Sequence, residues 1–68
     1  MKIFSIGDNV RTSETLERRD YNDDVIRRRN ATGVVIAEHN SHGLYFDVMH
    51  DDGAIGCYDP DELLKENK

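Results

Sequence analysis

Sixty-eight residues, 37% hydrophobic and 34% charged, suffice for one domain spanning residues 1–68, near the lower size at which a single apolar core holds without metals or disulfides. A mean hydropathy of −0.75 leaves no material for a membrane span, and Cys57, the only cysteine, excludes an intrachain disulfide. The net charge of −5 is unevenly placed: residues 11–30 carry six Arg against five carboxylates, residues 31–68 eight carboxylates against Lys65 and Lys68, a balance that disfavours non-specific nucleic-acid binding and favours a basic protein partner.

Met1-Lys2-Ile3-Phe4 lacks the long apolar run of a secretory leader, so the chain is expected to start at its natural beginning and to stay in the cytoplasm. Ile3, Phe4, Ile6 and Val10 flank Gly7-Asp8-Asn9, which predicts a short strand, a tight turn and a second strand ending near Arg11. From Thr12 to Asn30 the apolar residues Leu16, Tyr21, Val25 and Ile26 follow neither a period of two nor one of 3.6, so residues 12–30 read as a long charged loop. Its length in so small a domain marks it as a binding loop, although charge-rich segments also serve as plain solvated connections. A turn or two of helix over Glu14–Arg19, capped by Ser13, is the alternative within it.

Gly33 opens a central strand, Val34-Val35-Ile36-Ala37-Glu38, whose four consecutive apolar residues require burial on both faces or a strong bend. His39-Asn40-Ser41-His42-Gly43 is a polar connection. In the next strand Leu44, Phe46 and Val48 face one way and Tyr45, Asp47 and Met49 the other, the pattern of a half-buried strand. Asp51-Asp52-Gly53 between two apolar runs signals a hairpin whose two central residues take positive φ, and Ala54-Ile55-Gly56-Cys57-Tyr58 is the returning strand. Asp59-Pro60-Asp61-Glu62 supplies a cap, a proline at the first helical position and a glutamate able to reach back to the cap N–H, so one helical turn starts there. Tyr58 and Leu63 stand at staple positions around it, Leu64 leads into a short last strand, and Glu66-Asn67-Lys68 is a polar end.

Gly7-Asp8-Asn9-Val10-Arg11, Thr32-Gly33-Val34-Val35, Val48-Met49-His50-Asp51-Asp52-Gly53 and Tyr58-Asp59-Pro60-Asp61-Glu62-Leu63 follow one another in an order that resembles small SH3-like barrels of the KOW and Tudor type, over almost the whole chain. The resemblance implies an all-β domain: a small five-stranded SH3-like barrel with a long first loop and one helical turn before the last strand. Residues 12–30 would then take the place of the first long barrel loop.

His39, His42 and His50 with Asp47, Asp51 and Asp52 match no compact ligand set and read as turn residues, so neither a metal nor another cofactor is expected. Cys57, among Ala54, Ile55 and Tyr58, reads as a small buried hydrophobe, and with no catalytic set the chain is not expected to be an enzyme. Two surfaces remain. Asp47, Asp51 and Asp52, with Asp59, Asp61, Glu62 and the tyrosines Tyr45 and Tyr21, would offer an acidic, partly aromatic face to a basic protein, in the extreme case to a DNA-binding surface. Arg18, Arg19, Arg27, Arg28 and Arg29 would instead give a KOW-type contact to nucleic-acid phosphate, unless the interleaved Glu14, Glu17, Asp20, Asp23 and Asp24 neutralise them. The preferred expectation is a non-enzymatic, cytoplasmic protein-interaction module using the long loop and the acidic face, with nucleic-acid binding as the alternative. It is expected to be a monomer or to dimerise weakly through an open sheet edge.

Overall fold

Period-two stretches of this sequence become strands, because alternate side chains of an extended chain fall on opposite faces. The computed structural model describes residues 3–15 and 27–66. It contains β1 (Asn9–Thr12), β2 (Thr32–His39), β3 (Tyr45–His50), β4 (Ile55–Tyr58) and β5 (Leu63–Lys65), with a 3-10 turn, Pro60–Glu62, between the last two. All neighbours pair antiparallel in the order β4-β3-β2-β1-β5, which puts the long apolar β2 in the middle. The described residues therefore form an all-β fold of five strands. The expected closure into a barrel is not present: β4 runs into Pro60, which has no N–H to lend to a ladder, and the chain turns before it enters β5, so β4 and β5 remain the two edges of an open sheet.

The inner face collects Val10 of β1, Val35 of β2, Phe46 and Val48 of β3, Tyr58 of β4 and Leu63 of β5, all without solvent exposure. Phe4 closes this core edge-on to Phe46, with ring centroids 5.5 Å apart, and Leu44 packs against the cluster. Burial of each large apolar side chain stabilises by about 1.5–3 kcal/mol, the main favourable contribution in a domain this small. The alternation read in Leu44–Met49 is realised, and it continues one step further, to His50, which is buried as well.

Three local expectations need correction. Ile3–Ile6 is not a strand: the Asp8 amide donates to the Ser5 carbonyl (3.0 Å) and the Ser5 amide to Asp8 Oδ2 (2.8 Å), so the segment is committed to a turn. That turn borders β2, since the Gly7 amide donates to the Val35 carbonyl (2.8 Å) and the Val35 amide to the Asp8 carbonyl (3.0 Å). Secondly, the hairpin between β3 and β4 does not place both central residues of the expected Asp-Gly turn, Asp52 and Gly53, at positive φ. Its loop is longer by one residue: the Gly53 amide donates to the His50 carbonyl (2.9 Å), the His50 amide to the Ala54 carbonyl (2.8 Å), and Gly53 alone takes the left-handed conformation, φ +87°. Glycine adopts it without the steric cost that Asp51 or Asp52 would meet. Thirdly, His50 is not a turn residue but the end of β3.

The four-residue apolar run of β2 resolves as a bulge. Val35 pairs with Val48 but Ala37 with Asp47, so Ile36 is the extra residue and the alternation is inverted beyond it. Gly33 marks a close approach on the same strand, because a Cβ there would lie 2.5 Å from Val48 Cγ1 and 2.7 Å from the Met49 carbonyl oxygen. At the far end the Asp59 amide donates to Glu62 Oε1 (2.8 Å) and the Glu62 amide to the Asp59 carbonyl (2.9 Å), the backward reach anticipated from the sequence. The helix considered over Glu14–Arg19, and Leu16, Tyr21, Val25 and Ile26, lie wholly or partly outside the described residues; Ser13 Oγ accepts the Thr15 amide (3.1 Å) at the last described point.

Candidate interaction face

With one face of the sheet closed over the core, the other is left to solvent, and strand register decides what it displays. Val34 is opposite Met49 and Met49 opposite Ile55, so three apolar side chains, 36%, 40% and 44% exposed, form a row across β2, β3 and β4. At an inter-strand spacing of about 4.8 Å the row is roughly 10 Å long. Carboxylates stand at both sides of it. Asp47 lies two residues from Met49 along β3, and Asp51, which accepts a hydrogen bond from the Thr32 hydroxyl (3.0 Å), lies two residues the other way. Between Asn30 and Leu64 the chain has no Lys or Arg.

Asp47 belongs to a small polar array on the same face. The Cys57 thiol donates to Oδ1 (3.2 Å), His39 Nε2–H to Oδ2 (2.9 Å), and the His39 ring stacks on Tyr45 with centroids 4.7 Å apart. The bulge at Ile36 creates this arrangement, since uninterrupted alternation from Val34 would turn His39 to the core side. Cys57 is only partly buried, contrary to its reading as a core hydrophobe, because it occupies an outward position of β4 opposite Asp47. Burial, and then the Asp47 carboxylate, push its thiol up to about 11. Such a thiol stays protonated at neutral pH and is a poor nucleophile.

The acidic residues singled out from the sequence are thus divided. Tyr45 and Asp47 lie at one end of β3, and Asp51 and Asp52 occupy the hairpin, roughly 13 Å away at 3.3 Å per residue, with the apolar row between them. Asp52 is held by the Arg28 guanidinium in a two-pronged pair (Nη1–Oδ1 3.0 Å, Nη2–Oδ2 2.9 Å). The hydrogen bond from Arg28 lowers the Asp52 carboxyl below its ordinary range and raises Arg28 above its own. Arg27 also turns to the protein: it pairs with Glu62, its Nη1 donates to the Cys57 carbonyl (3.0 Å), and its guanidinium carbon lies 5.8 Å from the centre of the Tyr58 ring. Arg29 is exposed. Arg18, Arg19 and Tyr21 lie outside the described residues.

Beneath the hairpin a polar seam crosses the core. The Thr12 hydroxyl donates to the Arg28 carbonyl (2.6 Å) and accepts from the Ala31 amide (2.8 Å). The Arg28 amide donates to the Tyr58 hydroxyl oxygen (2.8 Å), which is also 2.8 Å from His50 Nε2, while His50 Nδ1 is 3.0 Å from the Thr32 carbonyl oxygen. A carbonyl only accepts, so Nδ1 carries a proton, and in the neutral ring it carries the single one. Nε2 is then an acceptor, and the Tyr58 hydroxyl proton points at it. Every buried side-chain nitrogen and oxygen among the described residues has a partner. Burial raises the Tyr58 hydroxyl above its ordinary range, which keeps it a donor. The seam opens onto a groove of about 410 Å³ bordered by Arg11, Arg28, Asn30, Thr32, His50 and Asp52.

The row and the seam both escaped sequence reading. Met49 was outward by alternation, but its alignment with Val34 and Ile55 depends on a register that only the bulge and the hairpin length fix. Among the described residues no group of three or more His, Cys, Asp or Glu side chains is arranged to hold a metal, and no helix is long and apolar enough to cross a membrane. No protein-family model, curated protein or solved structure matches the chain.

Proposed function

We propose that the chain is a non-enzymatic protein-interaction module of the SH3-like type, which binds a basic protein partner on the outward face of β2, β3 and β4. The observation that carries this reading is the apolar row Val34, Met49 and Ile55, set between Asp47 and Asp51 on strands that contain no Lys or Arg. Apolar contact supplies affinity, and flanking carboxylates select partners whose apolar residues are bordered by Lys or Arg and steer their approach. The strand order and the 3-10 turn before the last strand support the SH3-like assignment. Nucleic-acid binding is less well supported, because Arg27 and Arg28 are engaged with Glu62 and Asp52 and present less charge to a phosphate.

The test is a fluorescence-anisotropy titration with four labelled probes at low and physiological salt: a Leu/Lys peptide, a Leu/Glu peptide of the same length, a single-stranded oligonucleotide and a duplex oligonucleotide. The Leu/Lys peptide should bind alone, and Met49→Lys should weaken it by about tenfold, or about 1.4 kcal/mol. Oligonucleotide binding that falls steeply with salt and disappears in an Arg28→Ala, Arg29→Ala variant would replace this reading by the nucleic-acid one.

A further inference from the structure

The polar seam has a property that its geometry alone determines. From Thr32 to Arg28 every donor meets one acceptor: the His50 Nδ1 proton goes to the Thr32 carbonyl, the Tyr58 hydroxyl proton to His50 Nε2, and the Arg28 amide proton to the Tyr58 oxygen. The chain of bonds is complete only while Nε2 is bare. When the ring takes a second proton, Nε2 becomes a donor facing the Tyr58 oxygen, which already accepts from Arg28, and the hydroxyl proton loses its acceptor. Two donors then converge on one oxygen in a site where His50 is 4% exposed and Tyr58 is fully buried.

We propose that His50 is a proton-operated latch on the segment Arg27–Ala31. Neutral His50 fixes the Tyr58 hydroxyl, and Tyr58 fixes the Arg28 amide; the imidazolium releases both, and Arg27–Ala31 detaches from the sheet it borders while the core stays folded. The charged groups around the ring act in both directions. Arg27 over the Tyr58 ring, Arg28 on the returning segment and Arg11 across the groove oppose a positive imidazole. Asp51 and Asp52 of the hairpin favour it, although Asp52 is already paired with Arg28. Histidine is the side chain whose ordinary charge change falls within the physiological range.

What lets go is specific. The Thr12 hydroxyl bonds to Arg28 and Ala31, the Thr12 amide bond to the Ala31 carbonyl (2.9 Å), the Asn30 amide bond to the Ser13 carbonyl (3.3 Å), the Arg11 contact to Asn30, the Arg27 contacts to Cys57 and Glu62, and the Arg28–Asp52 pair all involve the same segment. None of them involves the ladders between β2, β3 and β4, so the outward face keeps its shape.

The experiment is amide hydrogen exchange by nuclear magnetic resonance on the whole chain at about pH 7.5 and about pH 5, each rate normalised to its intrinsic value. The expected result is a protection factor for the Arg28 amide that falls by about tenfold or more at the lower pH while Val48 in the core retains its own. Ring nitrogen shifts of His50 should report the Nδ1–H tautomer at the higher pH and the imidazolium where Arg28 is released. In His50→Gln, which cannot be protonated, Arg28 protection should no longer depend on pH; the wild-type comparison of Arg28 with Val48 stands even if that variant folds poorly. Unchanged Arg28 protection across the protonation of His50, or loss of Val48 and Arg28 protection together, would overturn the latch.

Discussion

Replacing Tyr58 by Phe removes one oxygen from the middle of the seam and leaves its volume in place. The ring keeps its position in the core and its edge-on contact with His50, at 5.7 Å between centroids, so the loss is confined to hydrogen bonds. Two groups are stranded. His50 Nε2 loses its donor in a buried site, a cost of about 1–3 kcal/mol, and the Arg28 amide, nearer the groove and able to find water, loses about 1 kcal/mol. The sum is about 2–4 kcal/mol, against a total stability of about 3–10 kcal/mol for a chain of this length. Urea denaturation at neutral pH should show that loss with an unchanged m-value, and the melting temperature should fall by at least about 8 °C. A loss below about 0.5 kcal/mol at the same m-value would mean that the seam is solvated and contributes no net stability, and the latch would lose its physical basis.

Gly33→Ala should be at least as damaging as overpacking in an ordinary core, about 2–3 kcal/mol by the same denaturation assay, because the new methyl meets a backbone carbonyl that cannot step aside. Tolerance of alanine within about 0.5 kcal/mol would show that β2 and β3 can move apart there. The Cys57 thiol, raised from 9.0 to about 11, should show its thiolate absorbance near that upper value in the folded protein. Between those two pH values the unfolded chain holds fewer protons than the folded one, so this group lowers stability as pH rises through that window. Asp47→Asn should shift the thiolate titration downward, and a wild-type midpoint near the ordinary value of 9.0 would refute the account of its surroundings.

Much of the fold was legible because it rests on local rules. Leu44–Met49 alternates strictly and Asp59–Glu62 carries its capping residues in order, so the half-buried strand and the turn before the last strand followed from spacing alone. Ile3–Ile6 misled because an apolar run with a polar break suits a turn as well as a strand, and only the Asp8 side chain bonded to the Ser5 amide decides between them. The candidate face was half legible. Asp47, Asp51 and Asp52 were identifiable as acidic surface, but their separation by an apolar row depends on lateral register, which one inserted residue at Ile36 alters without a mark in composition. His50 reads from the sequence as a turn residue, because the spacing of the histidines and aspartates matches no compact ligand set. Its position in the buried alternation Phe46, Val48, His50 was the available sign, and a polar residue at a core position is a prompt to look for partners.

Arg27 has a further consequence for how this protein behaves in a crowd. The His50 amide donates to the Ala54 carbonyl and the His50 carbonyl accepts from the Gly53 amide, so both His50 groups face β4; this sets the ladder phase, and the main-chain groups of Ile55 and Cys57 point away from β3, along the open side of β4. An open strand side is a template on which a foreign strand can grow. The Arg27 guanidinium sits on the Cys57 carbonyl there and is itself paired with Glu62, so an intruding chain must first evict a charged pair from a partly buried position. That guard is mounted on the segment that His50 restrains. Acidification would therefore uncover the open side of β4 while the rest of the sheet stayed intact, and a nearly native molecule would present an unguarded strand edge.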